Sequence, residues 1–292
     1  MTLVQSSITN LILAADAAID LQLHTTASDG QWAALELIQH LKREGFGLAA
    51  ITDHDRPDMA QAIQALALAE GMPLLVAAEM SCLWREQLVD LLCFGFGLEP
   101  NPLMAIAAEL HQRQQAIINH AFAYCCDQGY LTPQHQPQLA MILAQPSAQQ
   151  PHSLAALVKQ QNPTLAPAQF SQLMQASGCD FATNPIAAVV AAAQQSGAIC
   201  ILAHPGRSDG FVCFDQVLLD ALWAEVSLDG IEADYPLHTA EQAALYRNYA
   251  QEHALLISAG SDSHSPNKPP IRYRAADYRV LLNRLGIIVQ AD

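Results

Sequence analysis

A chain of 292 residues is long enough for one large α/β barrel or for two modest domains. Hydrophobic residues make up 51% of the sequence, so a large core can form without disulfide bonds. The formal net charge of -15 disfavours a surface that binds long nucleic acids through many phosphates, but bound cations would still admit a small anionic substrate.

Signals for a membrane or for secretion are lacking. No apolar run reaches about 18 residues, which predicts no transmembrane helix and no membrane partner. The segment Met1–Asn10 is polar and lacks the basic start of a signal peptide. The seven cysteines form no Cys-x-x-Cys pair, which argues against a disulfide framework or a zinc ribbon. We therefore expect a cytoplasmic protein with free thiols; the sequence leaves its oligomeric state open.

Short apolar runs, bounded by polar or glycine residues, predict seven buried strands. In chain order they are Ile19–Leu23, Leu48–Thr52, Leu74–Ala78, Leu88–Phe94, Ile199–Ala203, Gly230–Ala233 and Leu255–Ala259. Amphipathic segments between them predict helices at Trp32–Arg43, at Pro57–Glu70 and after a capping box formed by Thr239 and Gln242. Strands that alternate with helices indicate a parallel α/β sheet or barrel.

The segment 101–185 interrupts this alternation, because it contains no convincing strand. Leu103–Gln128 predicts a long helix, and stretches rich in Gln and Pro follow it around shorter helices. A structureless loop of that length would be improbable in a compact domain. We therefore expect a helical insertion at 101–185 between two parts of a barrel, 16–100 and 186–292.

Ionisable side chains recur at the ends of the predicted strands. They are His24, Asp29, Asp53, His54, Asp55, Glu79, His204, Arg207, Asp262 and His264, with Asp90 inside the fourth strand. In a barrel the carboxyl ends of the strands converge on one face, where active sites are built. Carboxylates and neutral imidazoles together form a ligand set for divalent ions such as Zn, Mn or Fe. The pattern therefore predicts a metal site.

Six strings in the sequence resemble the motifs of the PHP family, named for polymerase and histidinol phosphatase. They lie at Asp20–Gly30, Ile51–Asp55, Ala78–Ser81, Ala203–Arg207, Gly230–Ala233 and Gly260–His264. The resemblance is nearest to the stand-alone nucleotide phosphatases of this family. It implies a distorted seven-stranded (β/α) TIM-like barrel with a helical insertion, and two or three divalent metal ions (Mn, Zn, Fe or Mg). It also implies hydrolysis of a small phosphorylated substrate, such as a nucleoside 3',5'-bisphosphate or the end of an oligonucleotide.

The resemblance also implies how the ligands are shared among the ions. His24, Glu79 and Asp262 would hold the first ion, and Glu79 would bridge to a second ion that His204 also binds. Asp29, His54 and His264 would hold a third.

Gln22 and Asp90 occupy positions where the family usually has His. Asp is a competent oxygen ligand for Mn or Mg, whereas Gln is a weak neutral ligand, so we expect the first ion to be held least tightly.

Three further residues are candidates for the catalytic machinery, each with an alternative role. Arg207 follows His204-Pro205-Gly206 and suits a substrate phosphate, or else forms a surface ion pair. His238 would line the cleft or lie in an exposed loop. Asp55, like Asp53, would orient His54 or would cap the turn before Pro57. The acid that protonates the leaving group stays open between water and a cleft histidine.

Two other functions remain open at this stage. One is a degenerate PHP protein that binds metal or nucleotide without turnover, because Gln22 replaces a ligand. The other is a histidinol phosphatase or a polymerase-associated nuclease, of which the short length and acidic charge disfavour the nuclease. The predicted chemistry is hydrolysis in which the ions lower the pKa of a water molecule and Arg207 stabilises the phosphoryl oxygens.

Overall fold

The computed structural model describes residue 8 and residues 10–291. The segment for which the sequence predicts no signal peptide therefore lies mostly outside the described residues. The described chain forms two compact units. The first contains the described residues up to Ile106 together with those from Asn184 onward, and the second is Ala107–Thr183. In the described part of the chain, no helix combines the length and the apolar character needed to cross a bilayer.

Twelve strands are present among the described residues of the first unit. They are β1 (Ile12–Leu13), β2 (Ala18–Leu23), β3 (Phe46–Ile51), β4 (Leu74–Leu75), β5 (Ala77–Trp84), β6 (Gln87–Phe94), β7 (Asn184–Pro185), β8 (Ile199–Leu202), β9 (Gly230–Asp234), β10 (Leu256–Ala259), β11 (Tyr273–Arg274) and β12 (Ile288–Val289). All seven predicted strand regions contain a strand, and the predicted α/β class is confirmed.

Ten α-helices connect or flank these strands in the described chain. They are α1 (Ala34–Arg43), α2 (Ala60–Glu70), α3 (Pro102–Asp127), α4 (Gln136–Leu143), α5 (Gln150–Gln161), α6 (Pro167–Ser177), α7 (Ile186–Gln195), α8 (Gln216–Glu225), α9 (Ala240–Glu252) and α10 (Arg279–Arg284). Short 3₁₀ helices lie at Pro57–Met59, Pro133–His135, Ser147–Gln149 and Ala275–Tyr278. The Thr239–Gln242 capping box is present at the start of α9.

The strands form three sheets in the order β10-β9-β8-β6-β5-β7, β11-β2-β3-β4 and β1-β12. Two isolated parallel bridges link the two larger sheets: Leu23 at the end of β2 pairs with Ser263 after β10, and His54 after β3 pairs with Glu79 in β5. Within residues 10–291 the pairing does not close into a single sheet. The structure is therefore a mixed α/β fold.

The prediction of parallel strands was wrong for β6, which runs antiparallel to both β5 and β8. The reason is the tight turn at Arg85 and Glu86, whose φ angles of 50° and 65° suit a two-residue hairpin. A connection this short can join only antiparallel strands. The predicted strand Leu74–Ala78 is also divided, because β4 pairs with β3 whereas β5 pairs with β6 and β7.

The two larger sheets share one hydrophobic core. Ile19 and Leu21 of β2, Leu92 and Phe94 of β6 and Ile201 of β8 belong to a single cluster and are fully buried. Burying these side chains is the main favourable contribution to folding, and it fixes the sheets against each other. The loops that follow β2, β3, β8 and β10 therefore have defined positions.

The second unit has a core of its own. Ile118 and Phe122 of α3 pack with Leu139 of α4, Leu154 of α5 and Leu173 of α6. The whole of Ala107–Thr183 is described, and it contains no strand.

We predict that Gly230→Ala destabilises the fold. A Cβ at Gly230 would lie 2.3 Å from the carbonyl oxygen of Leu256 and 2.6 Å from Cδ1 of Ile201. Gly230 pairs with both neighbouring strands, so its backbone cannot move away without loss of hydrogen bonds. We expect the free energy of unfolding, measured by urea denaturation, to fall by about 1–3 kcal/mol.

Gly97→Ala is the matched control, because a Cβ at Gly97 would meet no heavy atom within 4 Å. Equal midpoints for the two variants would contradict the close approach of β9 and β10.

Candidate metal centre and active site

Glu79 in β5 lies at the centre of the predicted ligand residues. Its side chain is fully buried, and its Oε2 lies 3.0 Å from His24 Nε2 and 3.9 Å from His54 Nε2. Its other oxygen, Oε1, lies 3.0 Å from His204 Nε2. One carboxylate therefore contacts three imidazoles that come from three different loops.

Asp262 and Asp29 extend this cluster towards His264. Asp262 Oδ1 lies 3.2 Å from His24 Nε2 and 3.4 Å from His264 Nδ1. Asp29 Oδ1 lies 3.2 Å from His264 Nε2. The ring of His24 stacks against those of His54 and His264, with centroids at 4.7 Å and 4.1 Å. The side chains of the residues predicted for the first and third ions thus form one connected cluster.

The donor atoms converge as ligands of divalent ions would. Three groups have one ligand atom per residue within 4.8 Å of one another. They are His24, Asp29, His54 and His264; His24, Glu79 and Asp262; and His54, Glu79 and Asp90. His204 is not in the third group, but its Nε2 lies 3.7 Å from Asp90 Oδ2.

Several buried polar atoms of the candidate ligands lack hydrogen-bond partners within the described chain, which shows whether these residues fit a metal. Both ring nitrogens of buried His24, Nδ1 of His54 and Oδ2 of Asp90 have no hydrogen-bond partner among the described residues. Buried polar atoms are rarely left without a partner, because their desolvation costs free energy. Coordination to divalent cations satisfies these atoms, so the residues present fit the predicted metal.

The electrostatics of the cluster also suit a cation. Burial raises the pKa of Glu79, but the attraction of His54, a hydrogen bond from His204 and the close approach of His24 outweigh it and hold this pKa well below its usual range. Burial and the neighbouring Glu79 and Asp55 raise the pKa of Asp90 well above its usual range. Asp90 is therefore a carboxyl group that ionises readily only beside additional positive charge.

Gln22 faces the cluster, but with its amide nitrogen. Nε2 of Gln22 donates to both oxygens of Glu79, at 3.1 Å and 3.0 Å, and its Oε1 has no partner among the described residues. In this orientation Gln22 is a hydrogen-bond donor to a ligand carboxylate. The position that the family fills with an imidazole therefore holds a group that competes for Glu79.

Buried carboxylates outside the predicted ligand set hold the loops that carry the candidate ligands. Asp53 accepts hydrogen bonds from the backbone N–H and Oγ1 of Thr25 and from Oγ of Ser28, at 2.6–2.8 Å. It thus holds the loop that carries Asp29, and it does not bond His54. Glu232 accepts from the backbone N–H of His204 at 2.8 Å.

Asp20 has the same function for the loop after β10. Its two oxygens accept hydrogen bonds from the backbone N–H groups of Ser261 and Ile271, at 2.9 Å and 2.8 Å. Burial raises the pKa of Asp20 to about 7. Asp20 and Glu232 lie in motif strings of the sequence, but their role as backbone acceptors has no signal in residue type or spacing.

Three residues at the site have a left-handed backbone although none is glycine. The φ angles are 53° at Asp55, 26° at His204 and 52° at Asp262. Such conformations cost about 1–3 kcal/mol each and persist where surrounding contacts determine them. At Asp55 the contact is a hydrogen bond that its Oδ1 accepts from Ser81 N at 3.0 Å. The carboxylate of Asp55 thus contacts the backbone of β5.

Arg207 lies at the edge of the cluster. Its Nη1 is 3.9 Å from Asp262 Oδ2, and its guanidinium carbon is 4.4 Å from the ring centre of Phe211. Nε and Nη2 contact the exposed Asp209 at 2.6 Å and 3.1 Å. The guanidinium of Arg207 therefore lies next to the cluster and also forms an ion pair with an exposed carboxylate.

His238 holds the turn before Arg207 through contacts of its two ring nitrogens. Its Nδ1 contacts the carbonyl of Ala233 at 3.1 Å, and its Nε2 accepts from the backbone N–H of Gly206 at 3.1 Å. Gln242 Nε2 donates to the carbonyl of Gly206 at 3.1 Å. Both ring nitrogens of the half-buried His238 thus contact backbone groups.

Known proteins resemble this chain in sequence and in fold. No protein-family profile matches it. It is 24% identical over 265 residues to a 3',5'-nucleoside bisphosphate phosphatase of Chromobacterium violaceum, with 86% of this chain and 89% of that protein covered. It is 26% identical over 251 residues to a phosphoribosyl 1,2-cyclic phosphate 1,2-diphosphodiesterase of Eggerthella lenta, with 84% and 93% covered.

The fold matches that of a metal-dependent phosphoesterase from Bifidobacterium adolescentis, with a TM-score of 0.72 and 21% identity over 92% of this chain and 96% of that one. The sequence relatives and this fold agree with the predicted resemblance to phosphoesterases. A structure from Chromobacterium violaceum described as an amidohydrolase has the same fold, with a TM-score of 0.68 and 22% identity over 87% of this chain and 90% of that one.

We predict that Mn²⁺ raises the thermal unfolding temperature and that Glu79→Gln removes most of this shift. Ions that bind only the folded state stabilise it, by about 2.7 kcal/mol at 100 times the dissociation constant. Glu79 belongs to two of the three ligand groups, so its neutralisation should weaken both.

Glu225→Gln is the control, because Glu225 is exposed and contacts Arg85 and Trp84 instead. A Mn²⁺-induced shift of equal size in Glu79→Gln and in the unmodified protein would refute the assignment.

Proposed function

We propose that this protein is a metal-dependent phosphoesterase that hydrolyses a phosphate ester of a small nucleotide. The observation that carries the proposal is the set of overlapping ligand groups around Glu79, with Arg207 beside them. The relatives support it, because one is named for a nucleoside bisphosphate and another for a cyclic phosphate of ribose. A third, at 25% identity over 253 residues, is named a 5'-3' exoribonuclease of Salmonella typhimurium.

The proposal extends to the barrel, the domain organisation, the metal ions and the cellular location. The sheets would form a distorted seven-stranded barrel, with the bridges at Leu23–Ser263 and His54–Glu79 as the places where its two halves meet. The first unit would be the catalytic domain and 107–183 its helical insertion. The centre would hold two or three ions, with oxygen-rich coordination by Asp90 and the other carboxylates favouring Mn or Mg over Zn. The protein would act in the cytoplasm.

The residues present divide the chemistry between them. His24, Asp29, His54, Glu79, Asp90, His204, Asp262 and His264 would hold divalent ions, which when bound supply Lewis acidity towards water and phosphate. Arg207 donates hydrogen bonds to phosphoryl oxygens and exchanges Asp209 for the substrate as it does so. His238 and Gln242 keep the Gly206 peptide fixed, so that Arg207 starts from one position.

The first test of this proposal compares ligand variants with Arg207→Ala. Alanine at Asp29, His54 or His264 should lower kcat/KM for small phosphoesters by about two orders of magnitude or more, together with the metal content. Arg207→Ala should lower kcat/KM by about 100-fold while the metal content stays unchanged, because a charge-stabilising donor is lost. Phosphate release and plasma mass spectrometry measure the two quantities.

Arg43→Ala, on the exposed side of α1, is the control for loss of a positive charge. Unchanged turnover in all three ligand variants would sink the proposed function. Loss of metal from Arg207→Ala with normal kinetics per bound ion would sink the proposed role of that residue.

The second test concerns Gln22. Gln22→His should tighten the weakest metal-binding step by about tenfold, since it replaces a donor that occupies Glu79 with an imidazole ligand. Calorimetric titration of metal-free protein with Mn²⁺ measures this step.

Gln22→Met is the matched comparison, because it frees Glu79 without supplying a ligand nitrogen. If Met tightened binding as much as His, position 22 would not be a ligand position. Three equally tight ions in the unmodified protein would also contradict the prediction that the first ion is held least tightly.

A further inference from the structure

A groove of about 700 Å³ opens directly beside the metal centre. Asp29, Asp262 and His264 line both the groove and the centre, so the two are continuous. Its walls are two loops, Tyr235–Leu237 and Lys268–Ile271. The volume is that of a site for a ligand of nucleotide size. A phosphate at the centre would therefore have its leaving group in this groove.

The positive charges of the groove are Arg207 and Lys268. Arg207 lies next to the centre and is paired with Asp209. The ammonium group of Lys268 makes no ion pair with any described residue of the chain. The sequence contains only three lysines and has a net charge of -15, so a lysine at this place is a marked local feature.

The backbone of Lys268 is held in place, although its side chain is exposed. Its N–H donates to the carbonyl of Ser265 at 2.9 Å, and its own carbonyl accepts from Oγ of Ser263. Pro269 and Pro270 follow and restrict the backbone further. The loop ends on Asp20, which accepts the N–H groups of Ser261 and Ile271. The loop that supplies Asp262 and His264 to the centre thus presents Lys268 to the groove at little cost in backbone entropy.

Apolar surface faces the groove between these charges. Leu237 is 67% exposed and Ile271 is 37% exposed, and prolines flank both of them. Rigid apolar surfaces of this kind suit the ring systems of a nucleoside. A cationic amino group, by contrast, would meet like charge at Lys268, which disfavours an aminoalkyl phosphate such as histidinol phosphate.

We propose that Lys268 determines substrate specificity by binding a second anionic group on the leaving group of the substrate. The charge of Lys268 then contributes to the discrimination between nucleotides with two separate phosphates and monophosphates. The inference rests on the proposed function, since it assumes that one phosphate occupies the metal centre. Arg207 acts on that reacting phosphate, and Lys268 acts on the other.

The test uses Mn²⁺-loaded protein and two probes, adenosine 3',5'-bisphosphate and AMP. Lys268→Met keeps the aliphatic stem and removes the charge. This variant should lower kcat/KM or the affinity for the bisphosphate about tenfold, which is the effect of one charge-assisted hydrogen bond at an exposed site. The same quantity for AMP should change less than about twofold. Lys268→Arg should retain the preference. Lys42→Met, on the exposed side of α1, controls for the loss of one positive charge from the protein.

The readout separates this inference from the proposed function. Where the probes are hydrolysed, the contrast is read as kcat/KM for each probe; where they are not, calorimetric dissociation constants give the same contrast, and only the proposed function fails. If Lys268→Met lowered kcat/KM or affinity equally for both probes, the inference would be overturned, because the effect would be general or structural. An unchanged value for both probes would overturn it as well.

Discussion

The carboxylate of Glu79, fully buried among His24, His54 and His204, is the interaction on which the rest of the site depends. A charged group at that depth is tolerable only when positive charge and directed donors surround it. Each imidazole comes from a different strand end, so the carboxylate draws the loops after β2, β3 and β8 together. Bound cations would strengthen the same convergence, because they take up the atoms of His24, His54 and Asp90 that lack hydrogen-bond partners.

Around this cluster lies a second set of buried carboxylates that act on the backbone. Asp53 holds the loop with Asp29, Glu232 holds the N–H of His204, and Asp20 holds both ends of the loop with Asp262. Each accepts N–H groups that no strand partner satisfies, and so fixes a ligand through the chain that carries it. This arrangement explains how His204 and Asp262 can keep left-handed backbones: the strain is offset by contacts outside the ligand set.

Most of the candidate ligands could be predicted from the sequence, because metal ligands are of a few residue types and these residues follow the predicted strands. His24, Glu79 and His264 combine both signals. The antiparallel course of β6 was missed because periodicity reports that a strand is buried but not its direction, which the turn at Arg85 and Glu86 decides. The orientation of Gln22 was also beyond the sequence, since an amide offers either an oxygen or an N–H, and its neighbours determine which. Lys268 had no motif at all. Its place beside the groove depends on a loop in which the N–H of Ile271 bonds to Asp20, 251 residues before Ile271 in the chain.

The acidic character of the chain sets how such a site can recognise an anion. With 28 acidic and 13 basic residues, the protein as a whole does not attract phosphate over long distances. At physiological ionic strength charges are screened beyond about 8 Å, so the local groups decide binding. The carboxylates of the cluster would be neutralised by the ions they hold, which leaves Arg207 and Lys268 as the positive charges that a substrate meets in the groove. Recognition would then come from short-range contacts with defined geometry rather than from steering, and in the proposed site a single lysine would distinguish one phosphate from two.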